Sequence, residues 1–90
     1  MDVTSPQLWS MFTTECALLP DFQRAFLMWA RLHHPDEWER FAVIKRMAVD
    51  DPALVIAAAE ETAHAVLEFM RTDLDRLSAV VETRQILGEL

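Results

Sequence analysis

Glu61 and His64 are the pair of residues whose types and spacing are best suited to chemistry. On a helix, residues three apart lie side by side on one face, so this carboxylate and this imidazole can bind the same metal ion. Glu39 stands about as far before the turn at residues 50–51 as Glu61 stands after it. An antiparallel pair of helices would bring the two carboxylates face to face. Glu39, Glu61 and His64 therefore form a candidate metal site.

This arrangement resembles, in outline, short ferritin-like chains that build a metal site across a dimer. The resemblance covers three residues, and it implies a metal-binding protein with its site at a dimer interface. The full set of four-helix carboxylates is missing from this chain. The competing interpretation is a solvated helix face, because Glu61 and His64 lie almost opposite the apolar stripe of their own helix. We prefer that interpretation and predict no cofactor.

Other metal-ligand types occur around His33 and His34, with Asp36 and Glu37 just beyond and Cys16 elsewhere in the chain. Their spacing does not match a tetrahedral Cys/His zinc site, and structural zinc sites rarely depend on adjacent histidines. We therefore interpret residues 33–37 as a polar connection between helices.

Glu15 and Cys16 are the remaining candidates for chemistry. Glu15 falls within the apolar stripe of the first helix, where it needs either a partner such as Arg24 or Arg31 or an exposed edge. Cys16 has no adjacent base or helix N-terminus to lower its pKa, which predicts a buried, inert thiol. No second acid or base stands near Glu15 in the sequence. We therefore predict a protein without catalytic residues, and not an enzyme.

Composition predicts one folded helical domain. The 90 residues are 52% hydrophobic, with one Gly and no Tyr. That apolar content offsets the entropy cost of ordering, and the abundance of Ala, Leu, Met, Glu and Arg favours helix over strand. The longest unbroken apolar run, residues 53–59, is far too short to span a bilayer.

The net charge of −7 limits the classes of partner. Residues 1–49 hold six acids and five bases, whereas residues 50–90 hold nine acids and three bases. Such a surface repels phosphate backbones and anionic membranes, and it suits a protein partner with a basic surface. The single Cys16 and a start without a basic or apolar leader predict a cytoplasmic location.

Proline and aspartate divide the chain into four predicted helices. They cover residues 6–18, 21–32, 35–48 and 52–87, and Ser5 is expected to cap the first of them because Pro6 suits the first helical position. The fold class is therefore all-α, with three short helices and one long C-terminal helix. A break in the last helix near residues 71–73 is the main alternative, since Thr72 can cap a new helix.

The last predicted helix carries an apolar stripe from Val55 to Val81 that keeps its phase at 100° per residue. A continuous helix would measure about 50–55 Å, more than twice the length of each short helix. Its apolar face would then stay partly uncovered, which favours a homodimer over a monomer with staggered helices. The residues predicted to bind a partner are the following: Trp38, Leu67, Met70, Leu74, Leu77, Val81, Glu61, Glu68 and Asp75.

These patterns predict an acidic helical module that binds a partner protein, as an adaptor, a chaperone-like subunit or an inhibitor. A second hypothesis is a decoy of the kind that phages encode, which occupies the basic groove of a nucleic-acid enzyme, such as a defence complex. Its carboxylates would imitate phosphate spacing along a rigid helix, and they are Glu60, Glu61, Glu68, Asp73, Asp75 and Glu82. A third is the metal-binding protein described above.

Overall fold

The computed structural model describes residues 6–89, and this part of the chain is all-α. Five helices follow one another: α1 (Pro6–Leu18), α2 (Pro20–His33), α3 (Pro35–Met47), α4 (Pro52–Phe69) and α5 (Asp73–Glu89). The predicted bounds of the first three helices are confirmed to within one residue. Ser5, the predicted cap of α1, lies outside the described residues.

Prolines mark the starts of four helices for a local steric reason. A proline lacks the N–H that the first turn of a helix leaves unpaired, and it forces the preceding residue out of the α region. Leu19 before α2 is accordingly extended, with φ −107° and ψ 111°. Asp51 before α4 adds a cap, since its side chain accepts a hydrogen bond from the Leu54 N–H at 3.2 Å.

The prediction of one continuous helix over residues 52–87 is wrong. The chain leaves helical geometry at Met70, which is extended with φ −84° and ψ 103°. Thr72 then caps α5, because its hydroxyl accepts a hydrogen bond from the Asp75 N–H at 3.2 Å. The Arg76 side chain closes the break by donating from Nε to the Met70 carbonyl at 3.1 Å. The alternative break near Thr72 is therefore the arrangement observed.

The break lets α5 pack against α2 instead of extending beyond α4. The described chain measures 44 × 22 × 21 Å, less than the length expected of the continuous helix alone. Helix α2 lies at the centre, in contact with each of the other four helices. The homodimer was predicted because a continuous C-terminal helix would be too long for the short helices to cover. The described chain does not contain that continuous helix.

The core is an aromatic and aliphatic cluster that surrounds α2. Phe12 of α1 meets the rings of Phe22 and Phe26 edge to face, with centroids 5.5 and 5.7 Å apart. Helix α4 contributes Ala63 and Val66, and α5 contributes Ala79 and Val80. The buried members of the cluster are Phe12, Cys16, Phe22, Phe26, Leu27, Trp29, Ala30, Ala63, Val66, Met70, Ala79 and Val80.

Thr83 is the one polar side chain completely buried within the described chain, and its hydroxyl has no hydrogen-bond partner there. An unpaired buried hydroxyl is costly, so we expect Thr83→Val to raise the free energy of unfolding by about 1 kcal/mol. Urea denaturation of the two proteins measures this. Thr14→Val is the control, since Thr14 is exposed and its hydroxyl bonds to the Ser10 carbonyl. A loss of stability in Thr83→Val would show that the hydroxyl has a partner.

Thr72 provides a second test, of the break between α4 and α5. We expect Thr72→Ala to lower the free energy of unfolding by about 1 kcal/mol, because it removes the hydroxyl that caps α5. Thr72→Ser keeps the hydroxyl and should retain most of the stability. Equal stability of the alanine variant and the parent, in the same urea titration, would contradict the capping role.

Candidate functional site

The outer face of α5 carries three large apolar side chains that are exposed in the described chain. Leu74 is 76% exposed, Leu77 39% and Val81 41%. They stand at positions i, i+3 and i+7, which form one stripe along a helix. The buried residues of α5 are Ala79, Val80 and Thr83, on the side opposite the stripe. We call Leu74, Leu77 and Val81 the α5 stripe.

Carboxylates stand on either side of the α5 stripe. Asp73 and Asp75 lie beside its N-terminal end, and both are exposed. Neither side chain makes an ion pair within residues 6–89. The stripe is therefore an apolar strip with an acidic border, which is the complement of an apolar strip with basic borders.

Two of the residues predicted to bind a partner lie elsewhere. Met70 is 1% exposed and belongs to the core, and Leu67 is half-buried and packs against that core. Leu67 and Met70 stand at the end of α4 and pack with it into the core. Beyond the break at residues 70–72, α5 packs against α2 instead. The continuous apolar seam expected from Leu67 to Val81 is thus divided, and its C-terminal part is the exposed one.

Trp38, the aromatic residue predicted to be most accessible, is half-buried. Its ring meets Phe41 edge to face with centroids 5.3 Å apart, and the Arg31 guanidinium lies 5.8 Å from its centroid. These contacts hold the indole against α2 and α3, and part of Trp38 stays exposed.

A polar cluster joins α2 to α5 beside the stripe. The Trp29 indole N–H donates to Glu82 Oε2 at 2.8 Å, and the Ser78 hydroxyl donates to the same oxygen. His33 Nε2 lies 3.4 Å from that oxygen, and the His33 ring stacks on Trp29 with centroids 4.7 Å apart. We call Trp29, His33, Ser78 and Glu82 the α2–α5 cluster.

Hydrogen bonds set the ionisation of Glu82. The bonds from Ser78 and then Trp29 hold the pKa of this carboxyl below its usual value of 4.5, and the nearby His33 acts in the same direction. Partial burial opposes these effects. The carboxylate is thus stabilised as the acceptor that joins the two helices.

Few local patterns in the sequence indicate the α2–α5 cluster. Trp29 and Glu82 are 53 positions apart. The only local signal is the spacing of four residues within each helix, between Trp29 and His33 and between Ser78 and Glu82, which places each pair on one face. Nothing local indicates that the two faces meet.

The row of carboxylates proposed for a decoy is divided between α4 and α5. Within it, Glu68 lies 3.0 Å from His64 Nε2, one turn away on the same exposed face. Glu82 is engaged with Trp29 and Ser78. The acids therefore do not form one straight row on one helix.

The candidate metal ligands are distributed over separate surfaces. Glu39 pairs with Arg46 at 3.2 Å on the exposed side of α3, while Glu61 and His64 lie on the exposed side of α4. Within residues 6–89, no three His, Cys, Asp or Glu side chains converge on a point where an ion would fit. His64 pairs with Glu68 and not with Glu61, as expected of a solvated helix face.

Cys16 and Glu15 have the environments that their neighbours impose. Cys16 is 1% exposed, and burial, with a smaller effect from Glu15, raises the pKa of its thiol to about 12. The predicted buried thiol is confirmed, and it stays protonated at neutral pH. Glu15 lies 3.8 Å from Arg84 of α5, so it has the expected arginine partner, although this is neither Arg24 nor Arg31.

None of the helices within residues 6–89 is both long and apolar enough to cross a membrane. Comparison with known proteins found no matching family model, no matching curated protein and no matching solved structure. Function is therefore inferred from the chain's own geometry.

Glu82 makes stability depend on pH in a defined direction. Its pKa is lower in the folded state, so the unfolded chain binds the proton more readily. The contribution of Glu82 is therefore present above its ordinary pKa of 4.5 and is lost as pH falls through the folded value. In Glu82→Gln we expect a smaller loss of stability between neutral pH and about pH 3. Urea midpoints across this range measure it.

Glu61→Gln is the matched control for that titration, because Glu61 is exposed and makes no ion pair within the described residues. It should keep the acid-dependent loss of the parent protein. If Glu82→Gln and Glu61→Gln lose stability in parallel as pH falls, the hydrogen bonds from Trp29 and Ser78 do not hold the carboxylate ionised.

Proposed function

We propose that this chain is a protein-binding module that uses the α5 stripe to dock on a basic surface of a partner protein. The observation that carries the proposal is the exposure of Leu74, Leu77 and Val81 at helical spacing. Apolar side chains aligned on one helix face and left in water are typical of an association surface. The partner most suited to them is a helix or groove with apolar residues at the same spacing.

Charge supports a basic partner. The carboxylates Asp73 and Asp75 border the stripe, and the chain as a whole carries −7. Acidic borders speed encounter with a basic surface and discriminate against acidic ones. Because these carboxylates are solvent-exposed, their contribution is screened by salt, whereas burial of the leucines is not.

Binding fits the polar cluster better than catalysis does. A nucleophilic serine needs a base that accepts its proton. The acceptor of the Ser78 hydroxyl is the Glu82 carboxylate, whose lowered pKa makes it a weak base, and His33 approaches that carboxylate and not the hydroxyl. The cluster thus joins two helices and holds the α5 stripe in place. We propose binding without turnover.

A second copy of the chain is the alternative occupant of the stripe, and homodimerisation stays a prediction. Its original support was a continuous C-terminal helix, which the break at Met70 removes. The decoy and metal-binding hypotheses have less support, since the carboxylate row is divided between two helices, Glu39 pairs with Arg46, and no three ligand side chains converge within residues 6–89. The basic partner accounts for both the apolar stripe and its acidic border.

The α5 stripe is tested with a helical peptide of leucine and lysine, whose leucines repeat at i, i+3 and i+7. We expect Leu74→Ser/Leu77→Ser to weaken its binding about tenfold or more, since each substitution removes a buried apolar contact. Fluorescence anisotropy of the labelled peptide gives the Kd, and added salt should weaken binding to the parent protein.

The control is Leu32→Ser/Met47→Ser, which changes two side chains that are 73% and 82% exposed on α2 and α3. It should leave the Kd of the peptide unchanged. Equal losses in the two double variants would contradict the assignment to α5. Light scattering at high protein concentration separates the alternative occupant: a dimer that Leu74→Ser/Leu77→Ser dissociates would assign the stripe to a second copy.

A further inference from the structure

A groove runs along α4, and no residue of the α5 stripe lines it. It consists of two adjoining cavities of about 860 and 600 Å³. Ala17, Leu18, Gln23 and Glu60 line both cavities, so the two adjoin. We call the two cavities together the α4 groove. The lining residues of α4 run from Val55 to Glu68, which corresponds to about 20 Å at 1.5 Å per residue.

The walls of the α4 groove are mainly apolar. At one end Trp9, Leu67 and Met70 line it, and at the other Phe41 and Ile56 do. Small side chains lie between, at Ala59 and Ala63 of α4 and at Ala17 of α1. The volumes fall within the range of ligand sites, about 300–1,000 Å³. An apolar lining of this length suits a linear apolar group.

Positive charge is concentrated in the α4 groove although the protein is acidic. Four of the chain's eight basic residues line it, against two of its fifteen acidic residues. The bases are Arg24, Lys45, Arg71 and Arg76, and the acids are Glu60 and Glu68. Glu68 is itself paired with His64. A ligand that enters the groove therefore meets an excess of cations, which favours an anion.

Arg76 lies at the same end of the groove as Arg71, and two contacts hold its side chain in place. Its Nε donates to the Met70 carbonyl at 3.1 Å, and its guanidinium lies 5.0 Å from the centroid of the Trp9 ring. Its terminal nitrogens donate no hydrogen bond within the described chain, and Arg71 likewise forms no ion pair there. A guanidinium that is half-buried, oriented and free at its fork binds a carboxylate well.

We propose that the α4 groove binds a long-chain carboxylate. The carboxylate group lies between Arg71 and Arg76, and the alkyl chain extends over Trp9 and Leu67 towards Ala59. This occupant matches both properties of the site, the apolar lining and the arginines of one cavity. None of Leu74, Leu77 and Val81 lines the groove, so this site is separate from the proposed protein-binding surface.

The test uses dodecanoate below its critical micelle concentration and dodecanol below its solubility limit as probes, with isothermal titration calorimetry. We expect dodecanoate to bind one site per chain, and dodecanol to bind at least about tenfold more weakly, since it lacks the charged group that Arg71 and Arg76 recognise. Arg71→Gln/Arg76→Gln should weaken dodecanoate by at least about tenfold and leave dodecanol unchanged. Arg40→Gln, an exposed base outside the groove, is the control.

A second pair of variants keeps the test independent of the arginines, since Arg76 also contacts the backbone. Ala17→Trp places a large ring in the middle of the groove from an exposed position, and Ala57→Trp adds the same ring at an exposed position outside it. Ala17→Trp should abolish dodecanoate binding, and Ala57→Trp should not affect it.

Three outcomes would overturn the proposal. Equal affinity for dodecanoate and dodecanol would exclude carboxylate recognition. Undiminished binding by Ala17→Trp would place the ligand elsewhere. Binding of an acidic amphipathic peptide, blocked by Ala17→Trp, with no binding of dodecanoate, would make the occupant a helix.

Discussion

The packing of α5 against α2 determines which surfaces this protein presents. Ala79, Val80 and Thr83 turn towards α2, and the Trp29 indole holds Glu82 by a hydrogen bond of 2.8 Å. Because that side of the helix packs against α2, Leu74, Leu77 and Val81 face outwards. A short amphipathic helix gains most of its stability from such packing rather than from its own propensity. The α5 stripe is therefore a consequence of the contact between α2 and α5.

That contact depends in turn on the break at residues 70–72. Extended geometry at Met70 turns the chain, and the Thr72 hydroxyl starts the next helix. The same turn places Met70 in the core and brings Arg76 over Trp9. The break therefore forms one end of the α4 groove, and it also directs α5 towards α2. The two proposed binding surfaces, on α5 and along α4, share this origin.

Helix starts were predictable because proline acts locally. Pro20, Pro35 and Pro52 restrict the preceding residue whatever the rest of the fold does, and the observed helices begin at these positions. The break at Met70 was harder to predict, since the apolar residues from Val55 to Val81 keep a constant helical phase across it. The helical phase of the apolar residues shows which side of a helix is apolar, but it does not show whether the helix is continuous. The one local signal was Thr72, a capping residue three positions before Asp75.

The same distinction applies to the candidate sites. The pairing of His64 with Glu68 and the burial of Cys16 follow from spacing within one helix or from the absence of a neighbouring base, and both were predictable. The contacts of Glu15 with Arg84 and of Trp29 with Glu82 join residues that are far apart in the sequence. The concentration of arginines along the α4 groove is likewise a product of tertiary structure. Leu74, Leu77 and Val81 were identified from their spacing, whereas Met70 of the same series is buried, because the break separates it from them.

The position of α5 on α2 is tested most directly by nuclear Overhauser contacts of the Trp29 indole N–H. We expect contacts from this proton to the side chains of Ser78 and Glu82, together with an interruption of helical amide contacts at residues 70–72. An uninterrupted helical pattern through those residues, with no contact between Trp29 and α5, would contradict it.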